Sequence, residues 1–540
     1  MAFCAPLWEF RADRAAMPLA ALCWDGGVAA AAVEPYSESE AGIIRNGVFA
    51  ALPDAFGISL GYTNDPTTFK NRSTPAPSTR NMACKAQTSG TIYLRHGPRT
   101  ELHEIIRQEY ARHQDRAVPR NTLRQAVQGM LDTFAYQNFD AAAGEYTNRC
   151  CRPPRETEMR PWRLVTEIGW TGGGVLAYPL VLCRDALGAD AEAPLAAAMS
   201  GEQLFDRIAD AYNENSGLLN DLMAPNAAGS QVNGWWTRYG LVKDCHCAYT
   251  VGSAVHYLTK TMDYLHQNGK PCPAKWMDAA QKVLHTVMDL QRADGAFGYT
   301  YSTQERKVLD WSGFAGCWFA PALVYLYRLT GEERCLHSAE KALDYYHTFV
   351  KDLNCYGTPM DTWKAVDEEG NLAFMRGSRL LYEQTGKAEF LQYMKDSAGY
   401  EFLWRYGYKT YPEHTPLNQG WSACGGAVTS VSNPHIHPMG VIIDTDLRYL
   451  ARVTGDSYYA SRAADSAAWM LQCLELYPAA TGYGRYGILS ERWCPSDGLD
   501  VERFSDGRPF SSWFSHNLWA SACVLEAACE LLLEIEHKKG

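Results

Sequence analysis

The residues of this chain best suited to chemistry fall just ahead of a series of apolar helices. PWRLVTEIGWTGGG carries Glu167 and Trp170, and GWWTRYGLVKDCHCAYT carries Trp235, Trp236, Arg238, Asp244 and His246. Asp310 and Trp311 precede a third helix, and MDTWKAVDEEG brings Asp361, Trp363, Asp367 and Glu369 to a fourth. Glu413, His414 and Trp421, then His435 and His437 in SNPHIHPMG, precede a fifth; Trp513 and His516 in FSSWFSHNLW open a sixth. Two carboxyl groups with separated proton affinities can break a glycosidic bond, one giving a proton and one assisting attack. Aromatic faces and His or Arg donors can hold the sugar, and helix N-termini suit a carboxylated one such as a uronic acid. The catalytic candidates are therefore Asp310 and Asp244, with Glu167 and Glu413 in reserve. The binding candidates are Trp236, Arg238, His246, Trp311, Trp421, His435, His437, Trp513 and His516.

Each residue taken singly has a plainer reading. Asp310 and Ser512 suit helix N-caps, an isolated histidine is commonly a satisfied structural group, and Asp367-Glu368-Glu369 reads as a solvated helix start. The inference rests on co-location, because these residue types recur at one end of a repeated unit.

That unit is a helical hairpin. In the stretch from Val308 to Phe349, the first half is apolar on nearly every face from Trp311 to Leu329, as a helix surrounded by others must be. The second half places Cys335, Leu336, Ala339, Ala342, Leu343 and Tyr346 on one side and charges on the other, the pattern of an outer helix. Gly331 turns the corner between them. Equivalent corners stand at Gly188, Gly269, Gly386 and Gly455, which with a first amphipathic helix near Thr122–Phe134 and a last apolar one from Trp513 to Leu533 gives six outer and six inner helices. All-round apolar inner helices favour closure into a ring, an (α/α)6 barrel whose long loops open at the end where the inner helices begin. The expected fold is mainly α, with residues 118–540 as the barrel. Residues 1–98 break into short apolar runs between Gly, Pro, Asn and Ser and read as a β-rich, partial β-sandwich module. Residues 99–117 form a linker helix.

The chain has 540 residues and a formal charge of -11, so no basic excess attracts nucleic acid or an anionic membrane. Its apolar runs stay short of a membrane span, and its first residues lack a leader pattern. Seventeen cysteines, an odd number scattered through apolar helices, fit reduced thiols. Together these features set a cytoplasmic expectation. Cys245-His246-Cys247 and Cys150-Cys151 offer metal ligands at spacings that do not converge on one ion, so no metal is expected. GWTGGG lacks the spacing and preceding strand of a nucleotide motif, so no cofactor is expected.

The six-hairpin pattern with repeated TG corners resembles the six-hairpin glycosidase superfamily over roughly residues 116–538. Within it, Asp244 before the second inner helix and VLDWSGFAGCWFAPALVYLYRLTG are similar to the unsaturated glucuronyl and rhamnogalacturonyl hydrolases. That resemblance implies catalytic roles for Asp244 and Asp310, one protonating the substrate or activating water and the other supporting it. The DCHC stretch and the β-module depart from those enzymes, and a β-module before the barrel looks more like rhamnosidase- and phosphorylase-type glycosidases. The expected activity is hydrolysis of an oligosaccharide. The alternatives are a polysaccharide lyase or sugar epimerase, in which His246, His435, His437 and His516 would supply the bases, and a non-catalytic carbohydrate-binding protein.

Overall fold

In a computed structural model, the chain is described over residues 8–39, 42–45, 47–51, 55–59, 91–119, 121–141, 145–150, 160–161, 166–169, 173–188, 201–223, 245–358, 364–414, 417–418, 420–431, 433–474, 487, 489–496, 499–503, 509–512 and 515–537. Asp244, Trp236, Arg238 and Trp513 lie outside these residues, as do Trp170, Trp235, Asp361 and Trp363.

The N-terminal part is built from strands β1 (Trp8–Arg11), β2 (Leu19–Trp24), β3 (Gly27–Val33), β4 (Tyr36–Ser39), β5 (Gly42–Arg45), β6 (Val48–Ala51), β7 (Phe56–Ser59) and β8 (Ile92–Gly97). β2, β3 and β8 form one antiparallel sheet and β1, β6 and β7 another. Helix α1 (Leu102–His113) follows, with Leu102, Ile105, Ile106 and Tyr110 buried at helical spacing. The seam with the barrel is hydrogen-bonded, since Tyr408 Oη donates to the carbonyls of Ala12 and Ala15 at 3.0 and 2.9 Å.

Among the described residues, twelve further α-helices alternate between outer and inner. The outer ones are α2 (Leu123–Thr133), α4 (Gly201–Asp210), α6 (Ala274–Asp289), α8 (Glu333–Lys351), α10 (Ala388–Glu401) and α12 (Ser457–Gln472). The inner ones are α3 (Gly174–Leu187), α5 (Ala248–Gln267), α7 (Phe319–Thr330), α9 (Glu369–Thr385), α11 (Asp444–Thr454) and α13 (Leu518–His537). Each inner helix packs on the next, and α13 returns to α3, which closes the ring. Cys183 and Cys529 meet across this closure, their Sγ atoms 3.6 Å apart. The corner glycines Gly188, Gly269, Gly331, Gly386 and Gly455 all have φ between 63° and 73°, a conformation costly for a residue with a Cβ. Among the described residues no helix is long and apolar enough to cross a membrane.

Two sequence expectations need correction. The third inner helix does not begin at Trp311: Val308–Asp310 is a strand, and the chain turns helical only at Ala315. The inner helices are also not wholly apolar. Lys260, Arg376, Asp446 and Glu526 are all buried on them, because a ring of six helices leaves an axis that side chains must fill, and oppositely charged long side chains fill it in pairs.

Candidate active site at the mouth of the barrel

The N-terminal ends of the inner helices bring Trp318, Glu369 and Met439 around Tyr249. Tyr249 of α5 packs on Trp318 at 5.7 Å between ring centroids, and its hydroxyl lies 3.7 Å from Met439 Sδ. The same hydroxyl is hydrogen-bonded to the Glu369 carboxylate, and burial together with that carboxylate pushes its proton affinity well up. Trp519 of α13 lies nearly parallel to His437 at 6.1 Å. Tyr249, Trp318, Glu369, Met439 and Trp519 are each exposed by only 3–4%; lying at the helix starts, they are taken as the floor of the pit expected at the barrel mouth.

Beside this floor stands a buried acidic wall. Arg405, four residues beyond the end of α10, donates from Nη2 to Glu401 Oε1 at 2.8 Å and from Nη1 to Asp444 Oδ1 at 2.7 Å. Burial pushes Asp444 up to about 6 despite that guanidinium. Glu368 lies against Glu401, and neither Glu368 oxygen accepts a hydrogen bond from an N–H or O–H donor among the described residues. With Glu401 already held by Arg405 and Glu368 facing it without a donor, the conflict between the two carboxyl groups is resolved by a proton on one of them. Burial first, and Glu401 second, push Glu368 well above the usual carboxylate range, so it is the protonated member. Gly440 makes room for the pair: a Cβ there would lie 2.4 Å from Glu368 Oε1 and 3.1 Å from Glu401 Oε1. Asp367 accepts from the backbone N–H groups of Thr358 and Gly370 at 3.0 and 3.1 Å, the second being an N-terminal donor of α9. Burial raises it to about 7. The run Asp367-Glu368-Glu369 is thus buried, at 0, 0 and 4% exposure, and not a solvated helix start.

The rim of the mouth is more open. Strands β9 (Cys245–Cys247), β10 (Thr300–Ser302) and β11 (Val308–Asp310) form a small antiparallel sheet leading into α5 and α7. Asp310 is 31% exposed and accepts from Lys364 Nζ at 2.7 Å and from Ser312 N–H at 2.8 Å. It closes a local turn and does not cap a helix. Lys364 holds a φ of 48°, in the left-handed region, and its ammonium lies 4.9 Å from the centre of the Tyr299 ring. Trp311 is half-buried with the Arg292 guanidinium over its ring at 5.2 Å.

The other sequence candidates lie in separate environments. Glu413 accepts from Arg11 of β1 at 3.2 Å, tying the N-terminal strands to the helical part. His246 is fully buried, its Nε2 2.8 Å from Ser216 Oγ and its Nδ1 3.4 Å from Asp221 Oδ1. Trp421 is 2% exposed and packs in the core against Cys473. His516 takes a hydrogen bond from Leu489 N–H on Nδ1 and directs Nε2 to Asn138 Oδ1, and burial lowers it to about 4. His435 is buried. His437 donates from Nδ1 to the His435 carbonyl at 2.7 Å, and burial and then Arg492 lower it to about 3, so it is neutral with its lone pair on Nε2. For Glu167, strand pairing of the backbone with Leu222 is described. Sequence reasoning did not select Tyr249, Glu368, Glu401 or Arg405. The available signal was the four-residue spacing of Glu401 and Arg405 at an outer-helix end, the same end as the inner-helix starts.

No protein-family model and no curated protein sequence matches the chain. Among solved structures, it is similar to a cellobiose 2-epimerase from Spirochaeta thermophila at 12% identity and a TM-score of 0.49, covering 81% of this chain and 100% of that one. A family 76 glycoside hydrolase (mannosidase) from Bacteroides thetaiotaomicron gives 13% identity and a TM-score of 0.48, covering 77% and 99%. An unsaturated glucuronyl hydrolase from Streptococcus agalactiae gives 13% and 0.45, covering 77% and 93%. The ring itself rests on the packing of this chain's own helices, and in that ring the six-hairpin glycosidase resemblance of the sequence meets a six-hairpin fold.

Proposed function

We propose that this chain is a glycoside hydrolase acting on an oligosaccharide at the barrel mouth. The observation that carries this reading is the placing of two consecutive buried carboxyl groups, Glu368 and Glu369, in different surroundings at the start of α9. Glu368 is buried against Glu401 and keeps a proton, while the neighbouring Glu369 accepts a hydrogen bond from Tyr249. In this reading Glu368 is the acid, and Glu369, held by the Tyr249 hydroxyl, is the base. In the proposed reaction Glu368 gives its proton to the glycosidic oxygen as the C–O bond breaks. Water adds to the anomeric carbon, and its proton passes to Glu369. Trp318 and Trp519 offer faces to the sugar, and Asp310, Lys364 and Trp311 hold the part that projects over the rim. Asp244, outside the described residues, was expected with Asp310 to be catalytic; here both are proposed to hold substrate at the rim instead.

A second reading, elimination or epimerisation, is favoured by His437, a neutral imidazole with its lone pair on Nε2 beside Trp519. The test uses a panel of neutral and acidic oligosaccharides with two readouts: new reducing ends by chromatography, and ultraviolet absorbance of unsaturated uronic acid. New reducing ends without a rise in absorbance support hydrolysis, and a fall in absorbance on unsaturated oligosaccharides would identify hydration of their double bond. A rise on intact acidic polysaccharide, or epimerised sugar without chain cleavage, would replace this reading by the second.

A further inference from the structure

Beneath the pit floor, the barrel axis holds a small cavity of about 10 Å³ lined by His256, Tyr257, Trp318, Arg376, Glu526 and four aliphatic residues. Its walls are unusually polar for the centre of a helical ring. His256 and Trp318 meet edge to face, with ring centroids 5.5 Å apart. His256 Nδ1 and Trp318 Nε1 are both buried, and neither finds a hydrogen-bond partner among the described residues. An indole N–H can only donate, and a buried donor left without a partner is destabilising. A cavity of roughly 10–15 Å³ is the smallest that accommodates a water, and a buried water needs two to four polar partners.

We infer that this cavity is a fixed water site, and that His256 is a positioning residue acting through it. The water accepts from Trp318 Nε1–H and bonds to His256 Nδ1. Glu526 and Arg376, which also line the cavity, complete its shell. On the far side Glu526 accepts from Tyr257 Oη at 2.9 Å and from Lys260 Nζ at 2.5 Å, and Lys260 also reaches Glu530 at 2.8 Å. The indole of Trp318, part of the pit floor and in contact with Tyr249, is thereby anchored to an ionic network one layer deeper. This ties floor geometry to a water and not to side-chain packing alone. The water site stands on the cavity and the two unpartnered nitrogens; the effect on turnover rests on the hydrolase reading given above.

A crystal structure at about 1.8 Å of the full chain tests the site directly. The expected result is one spherical density peak within hydrogen-bonding distance of both nitrogens, lost in His256→Leu. An empty cavity, or either nitrogen bonded to protein, would overturn the inference. Kinetics of His256→Leu and His256→Gln test the positioning role on any substrate the wild type turns over. The leucine variant should lose at least tenfold in kcat with KM within about twofold, and the glutamine variant, able to hold the water, should recover most of it. Equal losses in both variants, or a leucine variant with unaltered kcat, would refute positioning. If the wild type turns over no glycan, the hydrolase reading fails while the density still decides the water site.

Discussion

Replacing Lys260 by Met should destabilise the barrel more than a typical core substitution, and the loss should depend on pH. Lys260 is 5% exposed and its ammonium lies between Glu526 and Glu530, at 2.5 and 2.8 Å, with the Tyr178 ring 4.2 Å away. Methionine fills nearly the same volume, so the cavity contribution is small and the electrostatic one dominates. Removing one partner of a buried ion pair costs about 3–5 kcal/mol, since the remaining charge is uncompensated. With an unfolding entropy of roughly 2.1 cal/mol/K per residue and a cooperative unit of about 400 residues, that corresponds to a fall of about 4–6 °C in Tm. Burial acts to raise Glu530, but Lys260 and Arg376 hold it below the ordinary glutamate range. A carboxyl depressed in the folded state stabilises above its unfolded pKa, and that contribution is lost as pH falls through the folded value. The gap between wild type and variant should therefore be widest near pH 8 and narrow on acidification, as the orphaned carboxyls take up protons. Differential scanning calorimetry between pH 4.5 and 8 measures it, and Lys260→Met combined with Glu526→Gln and Glu530→Gln should recover most of the loss. An unchanged Tm at pH 8, or a gap independent of pH, would refute the description of the axis as charge-paired.

Three further outcomes are expected. Asp367, raised by burial to about 7, binds its proton more tightly folded than unfolded. Its contribution is present below pH 4 and lost as pH rises through 7, so Asp367→Asn should remove up to about 1.4 kcal/mol per pH unit of declining stability in melts across that window. Asp310→Asn breaks a partly exposed pair with Lys364, so its effect on stability should stay below about 1 kcal/mol, while turnover by a rim-held substrate falls; a marked drop in Tm with full turnover would show a purely structural turn. Gly440→Ala would drive a methyl into Glu368 and Ala427. It should cost about 1–3 kcal/mol and lower kcat more than Tm, as seen by pairing melts with initial rates.

The hairpin repeat was legible because its marks are local. A corner that needs positive φ selects glycine, and an inner helix such as α7 shows apolar residues all round. The start of that helix was misplaced because Trp311 and Phe314 continue the apolar pattern through what is a bulged sheet and a turn; periodicity alone does not separate a short buried strand from a helix extension. The acidic run at 367–369 was misread for a different reason. Three adjacent carboxylates look solvated unless their counter-charge is known, and here Arg405 comes from the far end of the same hairpin, 37 positions beyond Glu368. The axial ions Lys260, Glu526 and Arg376 likewise find each other only once the ring closes. The mouth was identified from its end of the hairpins, but which of its carboxyl groups face inward depends on helix rotation, which the sequence pattern leaves open.

The central claim is that Glu368 is a protonated acid working with Glu369. It is tested most directly by the pH dependence of kcat/KM on a hydrolysed oligosaccharide, measured for wild type and Glu368→Gln. Wild-type activity should fall on the alkaline side as Glu368 loses its proton. The glutamine variant should lose this limb and at least a hundredfold in rate while folding with an unchanged or higher Tm, since an amide removes the facing-carboxyl conflict. A Glu368→Gln enzyme with the wild-type rate and the same alkaline limb would contradict it.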